Sequence, residues 1–352
     1  MLGSGVLDPP PPVIYGLGFS WRKRALVRQF FAGSEIRFVS RSAQIPDGAK
    51  VVVWASGPFG TRSDDAQAVA RFEKLFAEDG FLRSVGLGAD LVRPLSWVID
   101  SCGIYYDASR PSDLEHMLQT KSFDAATLER ATAMRQAIVA SGLTKYNVGG
   151  NTWIRPKLTS GLQIVLVPGQ VETDASIQYG APVIKTNLEL LRAARHAHPK
   201  DWLIYKPHPD VVAGLRMAGA QEDLAVQWCD EIVTDVSMAT LLETVDVVHV
   251  LTSLAGFEAL LRGKHVVCHG LPFYAGWGLT DDVVLAKNRS RKLNIDELVA
   301  GVLIEYPTYV SRVTGKHCAP EQALNELVAW KGVRGDAMPF WRKMLRKVIN
   351  HP

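Results

Sequence analysis

The sequence predicts an α/β protein of two domains, the second built on a parallel, doubly wound sheet. Three observations lead there. The chain has 352 residues, more than one hydrophobic core usually serves, and two domains of roughly 100–200 residues are the natural expectation. From Leu162 onward, short apolar runs alternate with loops and helical patterns, the signature of repeated strand–loop–helix units. Between the halves lies a polar stretch with Gly and Asn, "TKYNVGGNTWIRPKLTSG", which reads as an interdomain boundary.

The elements follow in order. Residues 1–12, "MLGSGVLDPPPP", read as a flexible, proline-stiffened leader. A first domain is expected over 13–158. Val13–Gly18 is a short apolar strand, and "SWRKRALVRQFFAG" a helix with Ser20 as N-cap and Gly33 as C-cap. "EIRFVS" and "KVVVWAS" are strands, and "DAQAVARFEKLFAEDG" reads as an amphipathic helix. Ser112 caps a helix beginning at Asp113, and residues 124–141 form a further helix. The second domain is expected over 159–305. Its strands are 162–167, "DWLIYKP", "DEIVTDV", "DVVHVLT" and "HVVCHG"; its helices are "TNLELLRAARHAH", "SMATLLETV" and "SLAGFEALLRGK". Residues 306–352 form a helical C-terminal segment. Its basic, aromatic end, "WKGVRGDAMPFWRKMLRKVINHP", is expected either to pack back on the first domain or to rest on anionic lipid headgroups.

Composition narrows the function. Apolar residues make up 47% and charged residues 21%, as in an ordinary globular chain. A net charge of +3 speaks against a dedicated nucleic-acid binder. Cys102, Cys229, Cys268 and Cys318 form no C-x-x-C pair, so zinc is not expected and the thiols read as reduced, in a cytoplasmic protein. The N-terminus lacks the pattern of a secretory signal, and no apolar run reaches the ~18 residues of a membrane span.

Two such α/β domains are expected to face each other across a cleft, with ligands beyond the carboxyl ends of the strands. Several polar groups fall at such ends. Gln170, Glu172, Asp174 and Ser176 follow strand 162–167. Lys206 and His208, in "YKPHPDV", form a cation pair held by two prolines; they suit a phosphate, or are the incidental charges of a surface turn. Thr252 and Ser253 open a helix whose free N–H groups favour phosphate. Glu258 within that helix reaches a ribose diol or is a plain exposed Glu. Tyr274 and Trp277, in "FYAGWGLT", bracket a base or sugar, or form a packed turn. In the first half, "AEDGFLRS" brings Glu78 and Asp79 close to Arg83. Two carboxylates flanking a sugar serve as nucleophile and acid/base in glycoside chemistry, although acidic loop residues are usually just solvated.

The blocks "GFSWRKR", "EDGFLRSVGLG", "PLSWVID", "GIYYDASRPSDLE", "LTKYNVG", "LVPGQVETDASI", "YKPHPDVVAGLR", "LTSLAGFEALLRGK" and "PFYAGWGLTDD" together resemble one glycosyltransferase module of the KpsC family of capsule polysaccharide proteins, its C-terminal module best. The resemblance runs from about Val13 to Trp330. It implies a GT-B fold of two Rossmann-like domains, CMP-β-Kdo as donor, a Kdo-terminated acceptor on a phosphatidylglycerol-type lipid, and retention of configuration by double displacement. It also implies a place at the cytoplasmic face of the inner membrane and a second transferase module as partner. It casts Asp174 as nucleophile, with Glu172 the competing carboxylate and Gln170 and Ser176 orienting it or touching the sugar. Glu78 becomes the acid/base with Asp79 second. His208 and Ser253 match the phosphate-holding motifs of related bacterial sialyltransferases. No cofactor or metal is expected. Alternatives are another CMP-sugar transferase, a GT-B sugar-nucleotide epimerase, or a non-catalytic assembly module.

Overall fold

The computed structural model describes residues 10–57, 59–60, 71–85, 92–145, 147 and 151–334. The first elements are β1 (Val13–Leu17), α1 (Trp21–Phe30), β2 (Glu35–Val39), β3 (Lys50–Trp54), β4 (Glu73–Asp79), β5 (Ser96–Asp100), α2 (Asp113–Thr120) and α3 (Ala125–Ala140). There follow β6 (Ile164–Pro168), α4 (Ala175–Gly180), α5 (Asn187–Ala197), β7 (Trp202–Lys206), α6 (Pro209–Val212), β8 (Glu231–Ile232), α7 (Met238–Thr244), β9 (Val247–Val250), α8 (Leu254–Leu261) and β10 (His265–Cys268). The last are β11 (Asp281–Asp282), α9 (Ile295–Val299), β12 (Pro307–Tyr309) and α10 (Pro320–Arg334).

The chain divides into two units. The first takes residues 1–83, 93–134 and 296–327, the second 84–92, 135–295 and 328–352. This differs from a simple boundary at 158/159: the division falls inside α3, and the chain rejoins the first unit at Asp296. β12 pairs antiparallel with β5, so residues 307–309 extend the first sheet. Arg130 binds Glu321 at 2.7 Å and fastens α10 to α3 there. The leader to residue 9 and the tail from 335 lie outside the described residues, as does the tail's expected lipid contact.

The sheet of the first unit has the order β12-β5-β4-β3-β1-β2. β1 to β4 run parallel and β5 runs antiparallel to β4. Val51, Val52 and Val53 of β3 are fully buried, as a parallel strand covered on both faces requires. α1 buries Val27 and Phe30 against the sheet. The amphipathic helix expected over 65–80 is corrected: residues 73–79 form strand β4, between β3 and β5. Phe72, Leu75 and Phe76 have helical spacing, but Leu75, Phe76 and Ala77 are a continuous buried run, and short runs of that kind fit either element. Residues 65–70 lie outside the described residues. Ser20 stands at the N-cap of α1 without a side-chain bond, whereas Ser112 Oγ accepts the Glu115 N–H at 3.1 Å as expected.

The sheet of the second unit is wholly parallel, in the order β11-β10-β9-β6-β7-β8. Numbered from β6, that is the 3-2-1-4-5-6 order of dinucleotide-binding domains. Val165, Val167, Leu190, Leu191, Leu203 and Tyr205 form its core. α5 starts with a capping box: Thr186 Oγ1 accepts the Glu189 N–H at 3.2 Å, and Glu189 Oε2 accepts the Thr186 N–H at 3.1 Å.

Candidate active site

In the second unit the chain runs outward from β6 to β8, then returns to lay β9 on the other side of β6. The loops leaving β6 and β9 therefore diverge, and such a switch point leaves a crevice at the carboxyl ends of the strands. Gln170 and Thr252 meet there. Gln170 Nε2 donates to Thr252 Oγ1 at 3.1 Å, and Gln170 Oε1 accepts the Thr252 N–H at 2.9 Å. The Gln170 backbone is fixed by Asn187 through two further bonds of 2.9 Å. Gln170 is thus a tether between two loops. Beyond it, Ser253 caps α8, its Oγ accepting the Ala255 N–H at 3.2 Å.

Tyr274 and Trp277 are not ligand-facing aromatics. Both rings are fully buried. The Tyr274 hydroxyl donates to the Ser253 carbonyl, and Trp277 Nε1 donates to the Phe273 carbonyl at 2.8 Å. Of the two readings, the packed turn is the one realised. Residue 256 must be Gly because a Cβ there would collide with the Tyr274 hydroxyl. The aromatics thereby set the position of the loop that opens α8.

The two carboxylates after β6 have different fates. Glu172 is consumed by backbone: Oε1 accepts the Asn187 N–H at 2.7 Å and Oε2 the Ala220 N–H at 2.8 Å. Asp174 stands at the N-cap of α4, yet its side chain caps nothing. It pairs with Arg216 at 3.2 Å, both side chains being nearly half exposed, at 43% and 49%. Burial raises the Asp174 pKa, while Arg216 and Lys145 act against the rise. Ser176 is half-buried in the first turn of α4.

The expected cation pair is corrected as well. Lys206 is buried and turned to carbonyls, donating to Val236 O at 2.6 Å and Thr234 O at 3.5 Å. Burial, then Lys145 and Arg216, push His208 down to about 4, so it is neutral at pH 7. Its Nδ1 accepts the Asp210 N–H at 3.2 Å, which leaves the proton on Nε2 as a donor. The cations near His208 and Asp174 are instead Lys145 and Arg216. Glu258 is not an exposed helix residue. It is buried, its Oε1 accepts the Lys145 N–H at 2.6 Å, and burial raises its pKa to about 7. Glu258 therefore holds the backbone that presents Lys145.

In the first unit the carboxyl end of β4 carries Glu78 and Asp79. Asp79 binds the buried Arg83 at 2.7 Å. Glu78 Oε1 accepts the Asp79 N–H at 3.1 Å, and Tyr106 donates its hydroxyl to Oε2 at 3.4 Å. Burial, then the Asp79 charge, raises Glu78 to about 7, suited to taking and returning a proton near neutrality. The order β2-β1-β3 gives this sheet its own switch point, between β1 and β3. Lys23 of α1 and Trp54 at the end of β3 meet there, the ammonium 3.2 Å from the indole centroid.

Sequence reasoning missed Lys145, Arg216, Lys23 and Tyr106. Lys145 follows α3 and Arg216 follows α6, so a rule that looks only after strands passes over both.

The family of capsule polysaccharide biosynthesis proteins matches residues 50–317. The chain belongs to this family. It is 41% identical over 334 residues to the capsule polysaccharide modification protein LipA of Neisseria meningitidis serogroup A, covering 91% of this chain and 46% of that protein. The chain thus spans about half the length of the curated relatives it matches. Two solved structures from Thermosulfurimonas dismutans are similar. KpsC, beta Kdo 2,7 transferase, is 38% identical with a TM-score of 0.74, covering 90% of this chain and 99% of that one. KpsC, beta Kdo 2,4 transferase, is 29% identical with a TM-score of 0.78, covering 92% and 100%. Together with the two Rossmann-like units, this likeness places this family member in the GT-B class of α/β folds.

Proposed function

We propose that the chain is a β-Kdo transferase module of capsule biosynthesis, moving Kdo from CMP-β-Kdo to a Kdo-terminated, phosphatidylglycerol-linked acceptor with retention of configuration. The observation that carries the reading is its likeness to two β-Kdo transferases over at least 90% of its length. Asp174 supports the mechanism, because its competitor Glu172 is bound through both oxygens to backbone N–H groups. In the first step Asp174 attacks the anomeric carbon as the bond to CMP breaks, and the electron pair leaves on the phosphate. In the second, Glu78 takes the proton of the acceptor hydroxyl, whose oxygen displaces Asp174. Two inversions give retention.

Lys145, Arg216, His208 Nε2–H and the N–H groups opening α8 neutralise the leaving phosphate, so the proposal calls for no metal. The Arg216–Asp174 pair is exposed enough to be worth only about 0–1 kcal/mol. An arriving phosphate draws Arg216 away at little cost and leaves the carboxylate free to attack. No described helix is long and apolar enough to cross a membrane; the proposed place of work is peripheral, on the cytoplasmic face, beside a second transferase module. Identity favours a 2,7 bond, and the TM-scores rank the two relatives the other way. We weight identity, because side chains choose the acceptor hydroxyl.

The test is intact mass spectrometry of Glu78→Gln protein with CMP-Kdo. A Kdo adduct mapped to Asp174 is expected. An adduct on Glu172, or full transfer by Asp174→Asn, overturns the assignment.

A further inference from the structure

Lys23 lies in the first turn of α1, directly beyond β1, at the switch point of the first sheet. It is half-buried, and its ammonium rests 3.2 Å from the centre of the Trp54 ring. An ammonium has three N–H donors and normally finds acceptors for them when it leaves bulk water. Among the described residues Lys23 forms no ion pair and no side-chain hydrogen bond; the indole is its partner. The charges around it are otherwise committed. Asp79 is bound to Arg83, and Glu78 accepts from the Asp79 N–H and Tyr106. Glu78 and Asp79 nevertheless act on Lys23 through space, favouring its charged form against burial. The result is a cation fixed on an aromatic face, beside the carboxyl group assigned as the base.

We propose that Lys23 anchors the carboxylate of the acceptor's terminal sugar acid and so sets the acceptor hydroxyl against Glu78; this rests on the Kdo-transferase reading above. The ligand is a monoanion on a sugar ring. One compact ammonium supplies one charge and an isotropic set of donors, which suits a single carboxylate. An anion at this point arises from the sugar's carboxylate or from a lipid phosphate, and the two are separable by acceptor chemistry.

The experiment compares three acceptors: two on an uncharged, phosphate-free fluorescent aglycone, one ending in Kdo and the other in its carboxyl-reduced alcohol, and a third in which Kdo is carried on a phosphate-bearing lipid. Wild type, Lys23→Gln and Lys23→Arg are assayed with CMP-Kdo, with CMP affinity by calorimetry and thermal melting as controls of folding. In Lys23→Gln, kcat/KM for the acid is expected to fall about 10- to 100-fold, the range for one hydrogen bond to a charged group, chiefly through KM. The alcohol should lose little, so discrimination between the two collapses, and Lys23→Arg should restore part of it. Equal losses on the acid and the alcohol, or an unchanged KM for the acid, overturn the proposal. Dependence on Lys23 that appears only with a phosphate-bearing lipid acceptor assigns the subsite to phosphate and also overturns it. Absence of any transfer by wild type instead refutes the enzymatic reading itself.

Discussion

Replacing Glu258 by Gln should change how the stability of the protein depends on pH. Glu258 is buried in α8, and burial raises its pKa from an ordinary 4.5 to about 7, against the Lys145 N–H and the Arg262 charge. The folded protein therefore holds a proton on this side chain between about pH 4.5 and 7 that the unfolded chain has released. Stability from this group is fully present below 4.5 and lost as pH rises through 7. Between pH 5 and pH 8 the loss comes to roughly 2–3 kcal/mol. Gln keeps the shape and can still accept the Lys145 N–H through its Oε1, but has no proton to lose. Any cost of burying its amide is the same at both pH values. The assay is urea unfolding followed by circular dichroism at pH 5 and 8. Two units make a single two-state free energy a poor observable, so the quantity to read is the midpoint difference between variant and wild type. That difference should move in favour of the variant on going to pH 8, by an amount equivalent to roughly 2–3 kcal/mol. Parallel pH profiles for the two proteins would show that Glu258 is not a protonated buried acid.

Two further outcomes are expected. His208→Ala should weaken CMP binding by roughly 1.5–3 kcal/mol in calorimetry, the worth of a hydrogen bond to a charged group, and His208→Gln should recover part of it because a neutral N–H is what the site supplies; unchanged affinity in His208→Ala would make His208 purely structural. Transfer should persist in excess EDTA, since phosphate charge is assigned to side chains and helix N–H groups; turnover lost to EDTA and restored by Mg²⁺ would refute that assignment.

The placement of the site was legible where it followed from periodicity. Short apolar runs of four or five residues are strands, and Gln170, Asp174, His208, Thr252 and Ser253 follow them. What each side chain does there was not legible, because its partners come from far along the chain. Glu172 is claimed by the Ala220 N–H, 48 residues away. Lys206 is claimed by the carbonyls of Thr234 and Val236. Tyr274 reads equally as a ligand-bracketing aromatic or as part of a packed turn until its hydroxyl is seen on the Ser253 carbonyl. β4 was misread because a central strand's buried run carries no period of its own to set against helical spacing.

The environments of Glu78 and Asp174 bear on the proposed division of roles, one as base and the other as nucleophile. Both carboxyl groups are raised by burial. Beside Glu78 the next influence is another carboxylate, Asp79, which adds to the rise and outweighs the smaller opposing charge of Lys23, so that the group reaches about 7. Beside Asp174 the influences are Arg216 and Lys145, which oppose it. A nucleophile must be ionised before the donor arrives, and cations favour that form. An acid/base must exchange a proton within the cycle, and a pKa near neutrality serves best. Exchanging the roles would leave the nucleophile half protonated at pH 7, with cations opposing proton uptake by the base. The strand ends bring a carboxylate to each sheet edge; the charges beside each one separate their chemistry.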